Sequence, residues 1–344
     1  MSGEFRFSFG PWNIHEGADP FGPPVRESIE FADKLGMYKD LGYGAVQFHD
    51  DDAVPELNDL GASEIRQKAG EVHGMLEDHG LVAEFVAPRL WEDSRTIDGA
   101  YTANATDSRK YAVERSKRAI DIANELETEL IVLWLAREGT YIREAKDSLW
   151  ATDRLVEAIN AMLAYDPNIR IAIEPKPNEP MDQAYIPTTG HALALGEMTD
   201  DPDRVGVNIE SAHAILAGLD PSDEMGFALA ADKLWTVHLN DQNGLKFDED
   251  KSFGSVDLRR AFNQVRILDQ HDYGRNGEWV GLDVKAMRTQ KDGAATKHLR
   301  NSRRVFLRLL EISRGLDDTR IEELRSARDY EELDLYIMEQ LLGG

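Results

Sequence analysis

A closed parallel (β/α)8 barrel, the TIM-barrel class of α/β fold, followed by a C-terminal helical arm, is the architecture this sequence predicts. Three observations predict it. Eight short apolar, β-branched runs recur along the chain, stretches of helical periodicity separate them, and no Gly-rich phosphate fingerprint follows the first run. A doubly wound sheet would normally carry fewer strands over this length.

The runs, in order, are FRFSFGPW at 5–12, GAVQFHD at 44–50, VAEFVA at 82–87, LIVLWLA at 130–136, IRIAIEPK at 169–176, RVGVNIE at 204–210, LWTVHLND at 234–241 and WVGLDVK at 279–285. Each is the length of a strand whose two faces are both covered. Between them, SIEFADKLGMYKDLG, SRKYAVERSKRAIDIANELE and SDEMGFALAADKL are long enough for crossover helices. The barrel domain is expected over 1–310. From 311 to 344 the chain is polar and helical without strands, an arm too small to bury a core of its own. Such an arm lies on the barrel or on a neighbouring subunit, which hints at a homo-oligomer.

The 344 residues are 42% hydrophobic and 30% charged, an ordinary globular composition. With no cysteine, disulfides, thiolate metal sites and a cysteine nucleophile are excluded. The 39 Lys and Arg against 64 Asp and Glu give a net charge of -25, which repels phosphate backbones and anionic membranes. Neither nucleic acid nor membrane is an expected partner. The N-terminal MSGEFRFSFG has no secretory pattern and no apolar run approaches the ~18 residues of a span, so a cytoplasmic location is expected.

In a barrel of this kind the chemistry sits at the C-terminal ends of the strands. Those ends hold Trp12, His49, Glu174, Lys176, Glu210, His238 and Asp283. Strand alternation puts Glu174 and Lys176 on one face, His238 with Thr236 and Asn240 on another, and Asp283 with Lys285 on a third. If each set faces the lumen, several carboxylates converge, and they repel one another unless a cation or shared protons intervene. A divalent metal is the simplest remedy. Glu210 and His213 in NIESAH are three apart, and Asp248 and Asp250 in FDED are two apart in a loop, placing more donors at the same end. Oxygen-rich ligands with one or two imidazoles suit Mg, Mn or Co.

The stretches FSFGPW, ADPFG, FHDDD, WLAREG, IEPKPNEP, NIESAHA, LNDQNGLKFDED, FGSVDLR and LDVK together resemble the xylose isomerases, especially the shorter bacterial class, over nearly the whole chain. The resemblance implies two divalent metal ions per chain. Glu174, Glu210 and Asp283 would hold one, with Glu210 bridging to a second held by His213, Asp248 and Asp250. It also implies that His49, oriented by Asp52, assists opening of a cyclic monosaccharide, that Lys176 hydrogen-bonds its C1 oxygen, and that Trp12 and Trp134 wall the pocket. The family's C-terminal arm helps build a tetramer, so the resemblance implies a homo-oligomer, tetramer or dimer, with Phe21 reaching into a neighbour's site. The implied reaction is an aldose–ketose interconversion by hydride shift, D-xylose to D-xylulose being the default pair.

Three stretches depart from that pattern. His238 stands where the family places an aspartate, removing a negative charge and favouring Mn or Co over Mg. Leu135 and Ala136 replace glycines, and AEFVAPRLW, ending in Trp91, replaces a stretch rich in threonine and asparagine. A sugar epimerase on the same barrel and a carbohydrate-binding protein without turnover are the alternative readings.

Overall fold

The computed structural model describes residues 4–19, 21–291 and 295–343. Pro20 of the ADPFG stretch and the extreme ends of the two expected domains lie outside those residues. Eight parallel strands, β1 (Phe7–Phe9), β2 (Ala45–His49), β3 (Val82–Ala87), β4 (Leu130–Trp134), β5 (Arg170–Glu174), β6 (Val205–Glu210), β7 (Leu234–Leu239) and β8 (Val280–Leu282), close in sequence order, with β8 beside β1. All eight expected runs therefore form the barrel.

Two strands are shorter than their runs, for identifiable reasons. After β1, Pro11 has no amide to give the ladder and opens a 3-10 turn that carries Trp12 across the barrel mouth. After β8, the Val284 amide donates to the Asn13 side chain at 2.6 Å and so leaves the sheet.

Each strand is followed by a helix on the outside: α1 (Phe31–Leu41), α2 (Ala62–His79), α3 (Thr106–Glu125), α4 (Ser148–Tyr165), α5 (Thr189–Glu197), α6 (Pro221–Ala230), α7 (Leu258–Gln270) and α8 (Lys297–Arg314). In α2, Ile65, Ala69, Val72 and Leu76 make the buried stripe that a 3.6-residue period requires. The helix then stops at Gly80, whose φ of 60° only a residue without Cβ adopts freely. Burial of such side chains between helices and strands is worth ~1.5–3 kcal/mol for each large one, and this layer is the main core.

The expected arm boundary at 311 falls inside α8. Phe306, Leu309, Leu310 and Ser313 keep one face buried up to Arg314, so the amphipathic pattern does not break until Gly315. Two further helices, α9 (Asp318–Ala327) and α10 (Tyr330–Leu342), follow. Among the described residues, no helix is long and apolar enough to cross a membrane.

The barrel interior holds an apolar cluster of Phe85, Ala87, Leu130, Val132 and Ala172 and, beside it, a polar layer. Gln47 donates to Ser8 at 3.2 Å and to Glu84 at 3.1 Å, while Thr236 donates to the other Glu84 oxygen at 2.7 Å. This hydrogen-bonded layer satisfies a buried carboxylate and forms a floor below the strand ends.

Candidate metal centre

Register brings the acids together. Glu174 pairs with Trp134 across β4 and β5, and Glu210 pairs with His238 across β6 and β7. A one-residue slip in either pair would turn these side chains out of the lumen. The loop after β7 folds back through a bridge between Asp241 and Lys251, which returns Asp248 and Asp250 to the strand ends. Asp283 follows β8 directly.

All seven residues expected to ligate metal meet in one place. Glu210 is the hub of three groups: with Glu174 and His213, with His238 and Asp283, and with Asp248 and Asp250. Within each group the ligating atoms lie within 4.8 Å of one another. His213 Nε2 is 3.3 Å from Glu210 and 3.1 Å from Asp248, and His238 Nδ1 is 3.4 Å from Glu174. Lys176 donates to Asp248 at 2.8 Å and pairs with Glu179 at 3.3 Å, and Lys285 pairs with Asp250.

The electrostatics of these side chains are those of a site short of positive charge. Burial, reinforced by Asp248, Asp250 and Asp283, pushes the Glu210 carboxyl well above its usual value. Burial and Asp248 likewise push Asp250 up to about 8. Against the effect of burial, His238 and His213 hold Glu174 down to about 2, and Lys176 holds Asp248 well below the usual range. Burial also opposes protonation of His238, yet Glu174 and Glu210 raise its imidazole well above the ordinary value. Side chains alone thus leave protons doing the work of cations.

A metal fits this set on a second ground. His238 Nε2, His213 Nδ1 and Asp248 Oδ1 are buried with no hydrogen-bond partner. Leaving such groups unpaired is costly, and coordination is the partner that suits nitrogen lone pairs and a carboxylate oxygen together.

Two asparagines hold the ligands in place, Asn240, which alternation puts on the face of His238, and Asn208, which sequence reasoning passed over. Asn208 donates to Glu174 at 2.6 Å, and Asn240 donates to Glu210 at 2.9 Å and Asp250 at 3.2 Å while accepting from the Ala212 amide. Asn208 lies two residues before Glu210 on the same face, and that spacing is the signal that could have found it.

An aromatic wall adjoins the acids. Trp12 donates through Nε1 to Asp283 at 2.9 Å, its ring lies 4.1 Å from that of His49, and Trp91 stands 5.1 Å from His49 and 4.5 Å from Trp134. Lys176 reaches over Trp134. His49 Nδ1 is 2.9 Å from Asp52. Phe21 is different: it is 78% exposed and touches Phe247 edge-on, away from these groups.

The FHDDD stretch is tied down by two arginines that the sequence did not reveal. Arg115 on α3 grips both oxygens of the fully buried Asp50 at 2.7 and 2.8 Å, and Arg89, after β3, reaches Asp51 at 2.7 Å and Asp52 at 3.0 Å. In WLAREG, buried Glu138 accepts from the amides of Ala100, Tyr101 and Thr102, so its task is to pin a loop.

A family model described as a xylose isomerase-like TIM barrel matches residues 35–303. The chain belongs to that family. Solved structures of the same fold include a D-tagatose 3-epimerase-like protein, 16% identical with a TM-score of 0.65, the match covering 90% of this chain and 98% of that one. D-psicose 3-epimerase from Clostridium cellulolyticum H10 is 14% identical with a TM-score of 0.64 over 89% and 98%. A xylose isomerase domain protein from Alicyclobacillus acidocaldarius is 13% identical with a TM-score of 0.61 over 91% and 100%. At these identities the likeness is one of fold. The xylose isomerase-like barrel of this chain thus has sugar epimerases and isomerase-like proteins as its structural neighbours.

Proposed function

We propose that the chain is a metal-dependent aldose–ketose isomerase acting on a monosaccharide, with D-xylose to D-xylulose as the first pair to try. The observation that carries this reading is Glu210 as a carboxylate common to three ligand groups, an arrangement suited to two neighbouring divalent ions, Mn, Co or Mg. Glu174, His238 and Asp283 would hold one with Glu210; His213, Asp248 and Asp250 would hold the other. When bound, such ions would polarise oxygens on adjacent carbons of an open-chain sugar.

The chain's own groups supply the rest. Lys176 donates one of its three N–H groups to Asp248 and lies beside Glu179, which leaves a donor for a sugar oxygen. Trp12, Trp91 and Trp134 offer flat apolar faces against which a sugar ring or chain packs, and they keep bulk water from the reacting carbons. His49 stands at the edge of this wall for ring opening.

A second reading is supported by the neighbours described as sugar epimerases: two carboxylates of the cluster acting as acid and base about one ion. Incubation with Mn and a panel of pentoses and hexoses in deuterated water separates the two. Aldose–ketose interconversion without deuterium on carbon, with two ions bound per chain, supports the isomerase. An inverted centre carrying deuterium, with one ion, supports the epimerase, and binding without product would sink both. Turnover with Mg equal to that with Mn or Co would count against the part given to His238.

The arm is proposed as an oligomer contact, since Tyr330, Leu335, Met338 and Leu342 on α10 are exposed. Light scattering of a chain ended before α9 tests it, loss of the assembled species being expected.

A further inference from the structure

We infer that Arg89 is a positioning residue that fixes the proton of His49 on Nε2, so that the imidazole shows the pocket an N–H donor and not a lone pair. What the pocket binds rests on the reading proposed above; the tautomer does not.

The inference comes from the crowding at Nδ1. That atom lies 2.9 Å from Asp52 Oδ2 and 2.8 Å from Arg89 Nη2. A guanidinium has donors only, and an ionised carboxylate has acceptors only, so one nitrogen cannot satisfy both. The surrounding bonds decide between them. Asp52 needs nothing from the ring: Oδ2 already accepts from the His49 backbone amide at 3.1 Å, and Oδ1 accepts from Arg89 Nη2 at 3.0 Å.

Arg89 is placed differently. Its Nε donates to Asp51 at 2.7 Å and Nη1 lies 3.4 Å from Glu92. Of the two Nη2 hydrogens, one goes to Asp52 and the other is aimed at His49 Nδ1. If Nδ1 carried a proton, that last hydrogen would face another N–H across 2.8 Å. With the proton on Nε2, Nδ1 accepts and every Arg89 donor at this corner has a partner; the Nδ1 lone pair then stands 2.9 Å from Asp52 Oδ2, a repulsion that Arg89 Nη2, donating to both His49 and Asp52, screens. Among the described residues Nε2 itself has no protein partner, and Trp12 and Trp91 flank the ring. The group meeting Nε2 must then be an acceptor, such as a ring, hydroxyl or carbonyl oxygen.

The test uses the full chain labelled with 15N-histidine at pH 8, with the His49 ring nitrogens assigned by loss of their signals in His49→Gln. Long-range 1H–15N correlation is expected to show Nε2 protonated and Nδ1 bare as the major form. Arg89→Leu leaves Asp52 as the sole partner and is expected to move the proton to Nδ1. A wild-type ring protonated on Nδ1 or on both nitrogens overturns the inference, as does a pattern indifferent to Arg89→Leu. Should that variant not fold, Asp52→Asn takes its place: an unchanged Nε2–H pattern is expected, and a switched one overturns the inference. A chain inert towards every sugar but carrying this tautomer would sink the proposed reaction and leave Arg89 in its role.

Discussion

The acids of Asp50, Asp51 and Asp52 and those around Glu210 are both gathered at strand ends, but only the first group brings its own counter-charge. Arg89 and Arg115 make planar, paired contacts with three aspartates, and the geometry is complete without any ligand. Four carboxylates surround that of Glu210 against Lys176 and Lys285, and buried ligand atoms there remain unpartnered. A guanidinium fork saturates carboxylates and so builds structure. A cluster left short of charge is strained as a protein and ready as a ligand set, which is the physical difference between an acidic motif that folds a loop and one that binds a cation.

Glu210→Gln is the variant expected to have the largest effect. Removing the shared carboxylate should lower turnover with Mn by at least about 10³-fold, since it disturbs every ligand group at once. In chelator the same variant should melt at a higher temperature than the wild type, because the amide is neutral without having to take up a proton as the buried carboxyl must; a lower melting temperature breaks the contrast drawn above.

Arg115→Leu should do the reverse, costing about 3–5 kcal/mol in urea unfolding by stranding Asp50, while the metal content of the folded fraction is unchanged. Metal loss in this variant would mean that the two clusters are one unit.

A buried imidazole outside both clusters calibrates the acid response. His298 donates through Nε2 to the Asn13 carbonyl at 2.8 Å, and burial holds its pKa down to about 4 from 6.5. The unfolded chain therefore takes up this proton first, so the stability it confers is whole above about pH 6.5 and is lost as the pH falls towards about 4. The loss is up to about 3 kcal/mol. Denaturant titrations in chelator should show that part of the acid sensitivity missing from His298→Gln; an unaltered slope assigns it to the carboxylate clusters.

Site for site, the smallest expected effect is that of metal itself. Mn at a hundred times its dissociation constant should stabilise the chelated protein by about 2.7 kcal/mol per independent site, and Glu210→Gln should gain none of it. An equal gain in both proteins would place the ion elsewhere.

Much of this was legible in the chain. The eight runs became the eight strands because β-branched, apolar segments of that length are stable only when covered on both faces. Glu174, Glu210, His238 and Asp283 could be named because the end of a strand and its alternation are local properties. Arg89 and Arg115 could not, since nothing near PRLW or VERSK reports which aspartate each will meet. Asn240 could be placed on the face of His238 but not given a task, and Asn208, on an equally readable face, carries no charge to draw attention. The expected boundary at 311 marks where strands cease, whereas the buried stripe of α8 runs on to Arg314.

The sequence by itself determined the barrel, the ring of acids at its mouth and the absence of thiol chemistry, since each follows from residue type and short-range period. Only the tertiary structure decided which acids are neutralised and which are left wanting. Electrostatic pairing depends on distances of a few ångströms between residues tens to hundreds of positions apart, and those distances exist only once the strands have closed.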